Sequence, residues 1–302
     1  MPKIKYRDIN LGSSRLATVL QANAIISEYE AQGFNLTLRQ LYYQFVSRDL
    51  IPNSQRAYKQ LGGVVNDARL AGLIDWLSII DRTRGLRSLA TWDDPSEIVS
   101  DAAKQFRNDL WGAQPYRPEV WIEKDALAGV VEGVCNELRV PYFSCRGYTS
   151  QSEMWVAAQR LIEYEKNGQE ALVLHLGDHD PSGIDMSRDI QDRLALFTDG
   201  EVHFERLALN EDQVARYSPP PNPAKTTDSR YGAYTREHGD ESWELDALEP
   251  SVITDLIRNA IRVNLDSGPW EESLTVELGQ RAALADAAGR WGDVVEFLKD
   301  GE

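Results

Sequence analysis

Two aspartates one residue apart, Asp178 and Asp180, follow the apolar run 171–176 and lead into a Pro-Ser-Gly turn at 181–183. Such a run reads as a buried strand, so both carboxylates fall at a strand's carboxyl end, where open α/β sheets bind ligands. Residues i and i+2 of an extended segment face the same side. Two carboxylates placed that way can share one hard divalent cation, which takes oxygen ligands. The alternative is an acidic turn after a strand, since Asp, Pro, Ser and Gly are common turn residues.

The elements that would position these acids alternate. Strands are predicted at 119–124, 141–145, 171–176 and 202–207, and helices at 126–138, 151–166 and 182–197. The alternation implies a parallel sheet with helices on its faces, and right-handed crossovers line the strand ends along one edge. Glu123 ends the first strand as Asp178 and Asp180 follow the third; if those strands are neighbours, three carboxylates converge. Upstream, Thr37 and Gln40 fit a capping box that opens a helix with Leu38, Leu41, Tyr42, Phe45 and Val46 at helical spacing. Residues 51–54 break it. A second helix, from Ser54 to about Gly72, carries Tyr58, Leu61, Val65 and Ala68 on one face. With its surplus of Arg and Lys the pair resembles a helix-turn-helix or winged-helix module. The proline-rich stretch 218–223 reads as a stiff connector, and helices are predicted again at 250–263 and 275–298.

The 302 residues, 42% apolar, suffice for a large core and by length favour more than one domain. No apolar run nears the roughly 18 residues of a membrane span, and the first residues lack the apolar stretch of a secretory signal, so a soluble, cytoplasmic protein with no membrane partner is expected. Cys135 and Cys145 have no zinc-ligand spacing and read as buried thiols. The net charge of −16 argues against coating nucleic acid by bulk electrostatics, yet it is unevenly spread: residues 1–90 carry 12 Lys/Arg against 7 Asp/Glu, and the remainder 20 against 41. The first part can approach a phosphate backbone; the rest needs a metal to do so.

Val120-Trp-Ile-Glu-Lys-Asp-Ala126 and Gly177-Asp-His-Asp-Pro-Ser-Gly183 resemble the two signatures of the Toprim domain in the topoisomerase VI A subunit and its relative, the meiotic double-strand-break protein. Leu38-Arg-Gln-Leu-Tyr-Tyr43 is similar to the winged-helix motif of that family whose second tyrosine attacks DNA, and Trp243-Glu-Leu-Asp-Ala-Leu248 falls where the family has an acidic Glu-Leu-x-Ala-Leu segment. The motifs occur in the family's order over about residues 36–248. The resemblance implies a mixed α/β fold: a winged-helix-like DNA-cleavage domain over 1–110, a Toprim metal-binding domain with a Rossmann-like parallel sheet over 111–248, and a helical extension over 249–302. It also implies a homodimer, in which each subunit's tyrosine meets the other's carboxylates, acting on double-stranded DNA. The chain departs from the family in its shortness, in His179 between the aspartates, and in having no ATPase region, so strand passage would require a separate ATPase subunit.

The resemblance gives the residues roles. Tyr43 would be the nucleophile and Glu123, Asp178 and Asp180 the Mg²⁺ ligands. On the helix, Tyr42 shares the apolar face while Tyr43 is turned about 100° away, so Tyr42 is expected in the core and Tyr43 exposed. A phenol titrates near 10, and Arg39, one turn earlier, is placed to lower that value; the bland alternative is a tyrosine at the core's rim beside a surface arginine. Arg48, Arg56, Lys59, Arg69, Arg82, Arg84 and Arg87 are candidate phosphate contacts, and most are equally ordinary surface charges; Lys124 is a further candidate, though a strand-end lysine is more often simply solvated. His175 and His179 read as structural. The expected activity is Mg²⁺-dependent DNA cleavage by tyrosine transesterification, a topoisomerase-like reaction. Its rivals are a hydrolytic Toprim nuclease of the plasmid- or phage-defence kind, and a non-catalytic DNA- or partner-binding protein on the same scaffold.

Overall fold

The computed structural model describes residues 3–80, 89–200 and 202–300. Three helices come first: α1 (Ser13–Ala31), α2 (Leu38–Ser47) and α3 (Gln55–Leu70). The capping box at α2 is complete, with Thr37 accepting from the Gln40 amide and Gln40 accepting from the Thr37 amide, and Ser54 caps α3 through the Ala57 amide. Ala57, Leu61, Val65 and Ala68 of α3 and Leu41, Tyr42, Tyr43, Phe45 and Val46 of α2 join α1 in one apolar cluster, with Tyr58 at its edge. Ala247, about two hundred residues later, belongs to the same cluster.

After α4 (Pro95–Gln105) the predicted alternation appears: β1 (Tyr116–Ile122), a 3-10 turn, α5 (Ala128–Glu137), β2 (Tyr142–Ser144), α6 (Gln151–Lys166), β3 (Glu170–Leu176), α7 (Pro181–Phe197) and β4 (His203–Ala208). The four strands form a parallel sheet in the order β2-β1-β3-β4. Strand alternation sorts the two faces. Val120, Ile122, Leu172, Leu174 and Leu176 pack with α5 and the later helix α10, whereas Trp121, Ala171 and Val173 pack with α6 and α7.

The remaining elements are α8 (Glu211–Tyr217), β5 (Asn222–Pro223), α9 (Tyr231–His238), β6 (Glu241–Ser242), a 3-10 turn at Leu245–Ala247, α10 (Pro250–Val263), α11 (Ser267–Gly289) and α12 (Trp291–Asp300). The connector at 218–223 ends in β5, which pairs with β6. Helix α10 matches its predicted bounds, and Ile253, Ile257 and Ile261 complete the sheet's core. The single helix expected at 275–298 is two. Asp266 caps α11 earlier than expected, and Arg290, off helical geometry at φ −114° and ψ 31°, separates it from α12. No helix among the described residues is long and apolar enough to cross a membrane.

Candidate functional site

The chain leaves β1 toward β2 on one side and β3 toward β4 on the other, so the gap between β1 and β3 is the sheet's switch point, where open α/β sheets hold ligands. The condition for convergence is met: β1 and β3 are neighbours in register, Ile122 opposite Leu176. Glu123 continues the ladder, its amide donating to Leu176 O at 2.9 Å, and its Oε2 accepts the Asp178 amide at 2.9 Å. Helix α7 then starts hard against the strand end. A Cβ on Gly183 would lie 2.2 Å from the Asp178 carbonyl oxygen, so only glycine permits this approach.

Each aspartate is already held. Asp178 Oδ1 accepts the Leu245 amide at 2.8 Å, and Oδ2 lies 2.9 Å from Lys124 Nζ. Asp180 is the N-cap of α7: Oδ1 accepts from the Gly183 amide at 2.7 Å and the Ser182 hydroxyl at 2.9 Å, while Oδ2 is 3.8 Å from Lys225 Nζ. His179 turns the other way, into Tyr234, His238 and Trp243, and its backbone exchanges hydrogen bonds with Trp243 at 2.8 and 2.9 Å. The three carboxylates are thus neighbours without a common focus, and no three His, Cys, Asp or Glu side chains among the described residues are grouped so as to hold a metal ion.

Their chemistry nonetheless fits a hard cation. Burial, followed by the charges of Glu123 and Asp246, pushes Asp178 up to about 7 against the pull of Lys124. Burial also raises Glu123, and Asp180 adds to it. Asp178 and Glu123 thus resist ionising, and such a pair of oxygen ligands is stabilised by added positive charge. Lys124 supplies one such charge from within, with Nζ at 2.7 Å from Glu244 and 2.9 Å from Asp246. Burial would lower this ammonium's pKa; Asp246, Asp178 and Glu244 outweigh it and raise it. Burial would likewise raise Glu244, yet Lys124 and Arg39 hold it at about 2.

Arg206, on β4, is a component that sequence reasoning missed. Its Nη2 donates to the carbonyl oxygens of Asp178 at 2.6 Å and of Gly177 and Leu209 at 3.2 Å; Nη1 donates to Gly183 O at 3.1 Å and contacts the Ser187 hydroxyl. Burial lowers its pKa to about 10 although Glu123, Asp178 and Asp180 pull the other way. The only signal was an arginine in a predicted strand, between Glu205 and the apolar run 207–209. His175 is buried beside it with Nδ1 3.0 Å from Ser187 Oγ, and burial, then Arg206, drives its pKa down to about 3.

The tyrosine expected to be exposed is not. Tyr42 and Tyr43 are 5% and 3% exposed, because α2 is covered on both sides: α1 and α3 take one face, and the turn at Leu245–Ala247 closes the other. Periodicity reveals one buried face but not a distant segment that covers the second. Arg39 Nη2 reaches the Tyr43 hydroxyl at 3.4 Å, contacts Glu244, and places Nε 3.1 Å from Asp246 Oδ2. Arg39 does pull the phenol's pKa down, as expected of its place one turn earlier, but the net shift is upward. Burial raises it, Asp246 and Glu244 add to that, and Arg39 offsets only part. Tyr43 and Asp180 of one chain border the same cleft, about 480 Å³, with Tyr58, Lys59 and Lys225 on its walls.

Of the basic residues singled out, Arg56 and Lys59 are exposed. Arg48 pairs with Glu28 at 2.9 Å. Arg69 turns inward to the carbonyl oxygens of Trp76 and, at 2.7 Å, Ile79, and Lys124 is engaged with the three acids above. Arg82, Arg84 and Arg87 lie outside the described residues. Both cysteines are buried and unbridged, and burial pushes each thiol up to about 12. Comparison with the known protein families, and with curated proteins, finds no match to the chain.

Proposed function

We propose that this chain cleaves DNA in a Mg²⁺-dependent reaction of the kind carried out by the topoisomerase VI A subunit, with Tyr43 as nucleophile. The observation that carries the reading is the meeting of Glu123 with Asp178 at the switch point, beside a cleft that Tyr43 and Asp180 share. In the reaction the Tyr43 Oη–P bond forms as the bond from phosphorus to the leaving sugar oxygen breaks. The phenolic proton passes to water in the cleft, and the sugar oxygen takes one back. Glu123, Asp178 and Asp180 would hold Mg²⁺, which when bound supplies positive charge for the phosphoryl and leaving oxygens. Asp180 must then direct an oxygen away from its cap. Arg39 orients the phenol; Lys59 and Lys225 flank the cleft for phosphate. Double-stranded DNA is the proposed substrate, a homodimer the proposed assembly, and a separate ATPase subunit the partner needed for strand passage.

One observation favours a second reading. Tyr43 is buried beside two carboxylates that raise its pKa, whereas water reaches an open cleft readily, which fits a hydrolytic nuclease. Denaturing electrophoresis of labelled DNA with the protein and Mg²⁺ separates the two. Transesterification gives a protein–DNA adduct that Tyr43→Phe abolishes with DNA binding intact. Cleavage that survives Tyr43→Phe and disappears in Asp178→Ala selects hydrolysis, and intact binding without cleavage under any divalent metal rejects both.

A further inference from the structure

The solvent-facing side of α3 is made almost wholly of residues that can read base edges. Gln55, Arg56, Lys59, Gln60, Gly63 and Asn66 are exposed, and at 100° per residue they fill one arc opposite the buried Ala57, Leu61, Val65 and Ala68. Glutamine and asparagine match the donor–acceptor pair that adenine shows in the major groove; arginine and lysine match the two acceptors of guanine. In a chain with a net charge of −16 this arc carries two cations, and the only carboxylate of α3, Asp67, is paired with Arg15 at 2.6 Å. The two glycines of the helix divide the same way. A Cβ on Gly62 would meet Leu38 Cδ2 at 3.2 Å, so that glycine serves packing against α2; one on Gly63 would meet nothing within 4 Å. A glycine on an exposed helical face costs about 1 kcal/mol relative to alanine, and nothing among the described residues comes close enough to require it. Close approach of a partner would. Gln55 to Asn66 spans about 16 Å of helix, enough to follow several base pairs, and Lys59 also borders the cleft that holds Tyr43.

We propose that α3 lies in the major groove of duplex DNA and gives this protein a sequence preference, with Gln55, Gln60 and Asn66 reading bases, Arg56 and Lys59 reading guanine or phosphate, and Gly63 admitting the groove's edge. The proposal rests on the DNA reading of the preceding section and adds specificity to it. Its test is selection from a randomised duplex pool by the full chain in EDTA, where cleavage plays no part, followed by affinity measurements at several salt concentrations. The wild type should enrich a short motif. Gln55→Ala and Gln60→Ala should each relax one or two positions of it by roughly tenfold, with binding to unrelated duplex unchanged. Lys59→Gln, if that residue contacts phosphate, should weaken all sequences alike and reduce the salt slope by about one. Gly63→Leu, whose Cβ enters open space in the free protein and whose side chain leads away from the buried face, should keep the fold and lose motif binding by tenfold or more. Duplex binding with no enriched motif, or a motif unchanged in the Gln55→Ala/Gln60→Ala double variant, overturns the sequence-reading role and leaves the DNA reading standing. No duplex binding at all overturns both.

Discussion

Two acids, Glu119 within β1 and Glu123 just past its end, are four residues apart and differ in what surrounds them. Both oxygens of Glu119 are filled: Arg160 donates twice, at 2.7 and 2.8 Å, Tyr164 donates at 3.0 Å and Trp121 Nε1 at 2.9 Å. That is one buried charge answered by one fork-shaped cation. Glu123 belongs instead to a group of five acids with Asp178, Asp180, Glu244 and Asp246, whose nearest cations are Lys124, Arg39, the exposed Lys225 at 3.8 Å from Asp180, and Arg206, which donates to carbonyl and hydroxyl oxygens rather than to the acids. A buried acid balanced by a half-exposed cation needs nothing more. A buried acid surplus raises the free energy of the empty site, and its natural reading is a place where positive charge arrives from outside.

The sharpest way to break this contrast is to remove one cation from the balanced pair. Arg160→Met leaves Glu119 buried and unpaired and should cost about 3 kcal/mol in urea unfolding; a loss below about 1 kcal/mol would mean that water already answers the charge. Next in size is a pH effect. The folded protein holds His175 neutral with a depressed pKa, while the unfolded chain titrates near 6.5, so acidification below that value favours unfolding by up to about 1.4 kcal/mol per pH unit. Asp178 and Glu123, with raised pKa values, work in the opposite direction over their own range. The test is therefore differential: between about pH 6 and 4, His175→Gln should lose less stability on acidification than the wild type, by that slope. The smallest effect is expected at the surplus itself. Asp178→Asn should change stability by less than about 1 kcal/mol, because it removes a charge the fold disfavours. Mg²⁺ at ten times its Kd should stabilise the wild type by about 1.4 kcal/mol and leave Asp178→Asn unmoved. Equal stabilisation of both proteins would remove Asp178 from the metal site.

Local signals were legible. Thr37, Gln40, Ser54 and the apolar spacings locate α2 and α3, and the β-α alternation locates the parallel sheet with element bounds displaced by a few residues at most. The neighbourhood of Glu123 and Asp178 was legible only conditionally, because strand order is not written in any one strand. What failed to show was long-range. Tyr43 looked exposed because nothing in residues 38–47 announces that residues 245–247 will cover them. Arg69 and Lys124 looked like phosphate contacts because a lysine or arginine carries the same formula whether its partner is DNA, a carbonyl at 76 or a carboxylate at 246. Asp180 looked like a free ligand although the Pro-Ser-Gly that follows it is also a helix start, with the aspartate in the capping position.

The closure of α2 by residues 245–247 has a consequence for biosynthesis. At about 5–20 residues per second, a ribosome that has finished α2 needs on the order of 10–40 seconds to reach its cover, since about 200 residues separate them. During that interval the nascent chain presents an uncovered helix flank carrying Tyr43 to the cell. Chaperone engagement should be concentrated in that window and end once the segment around Leu245 emerges.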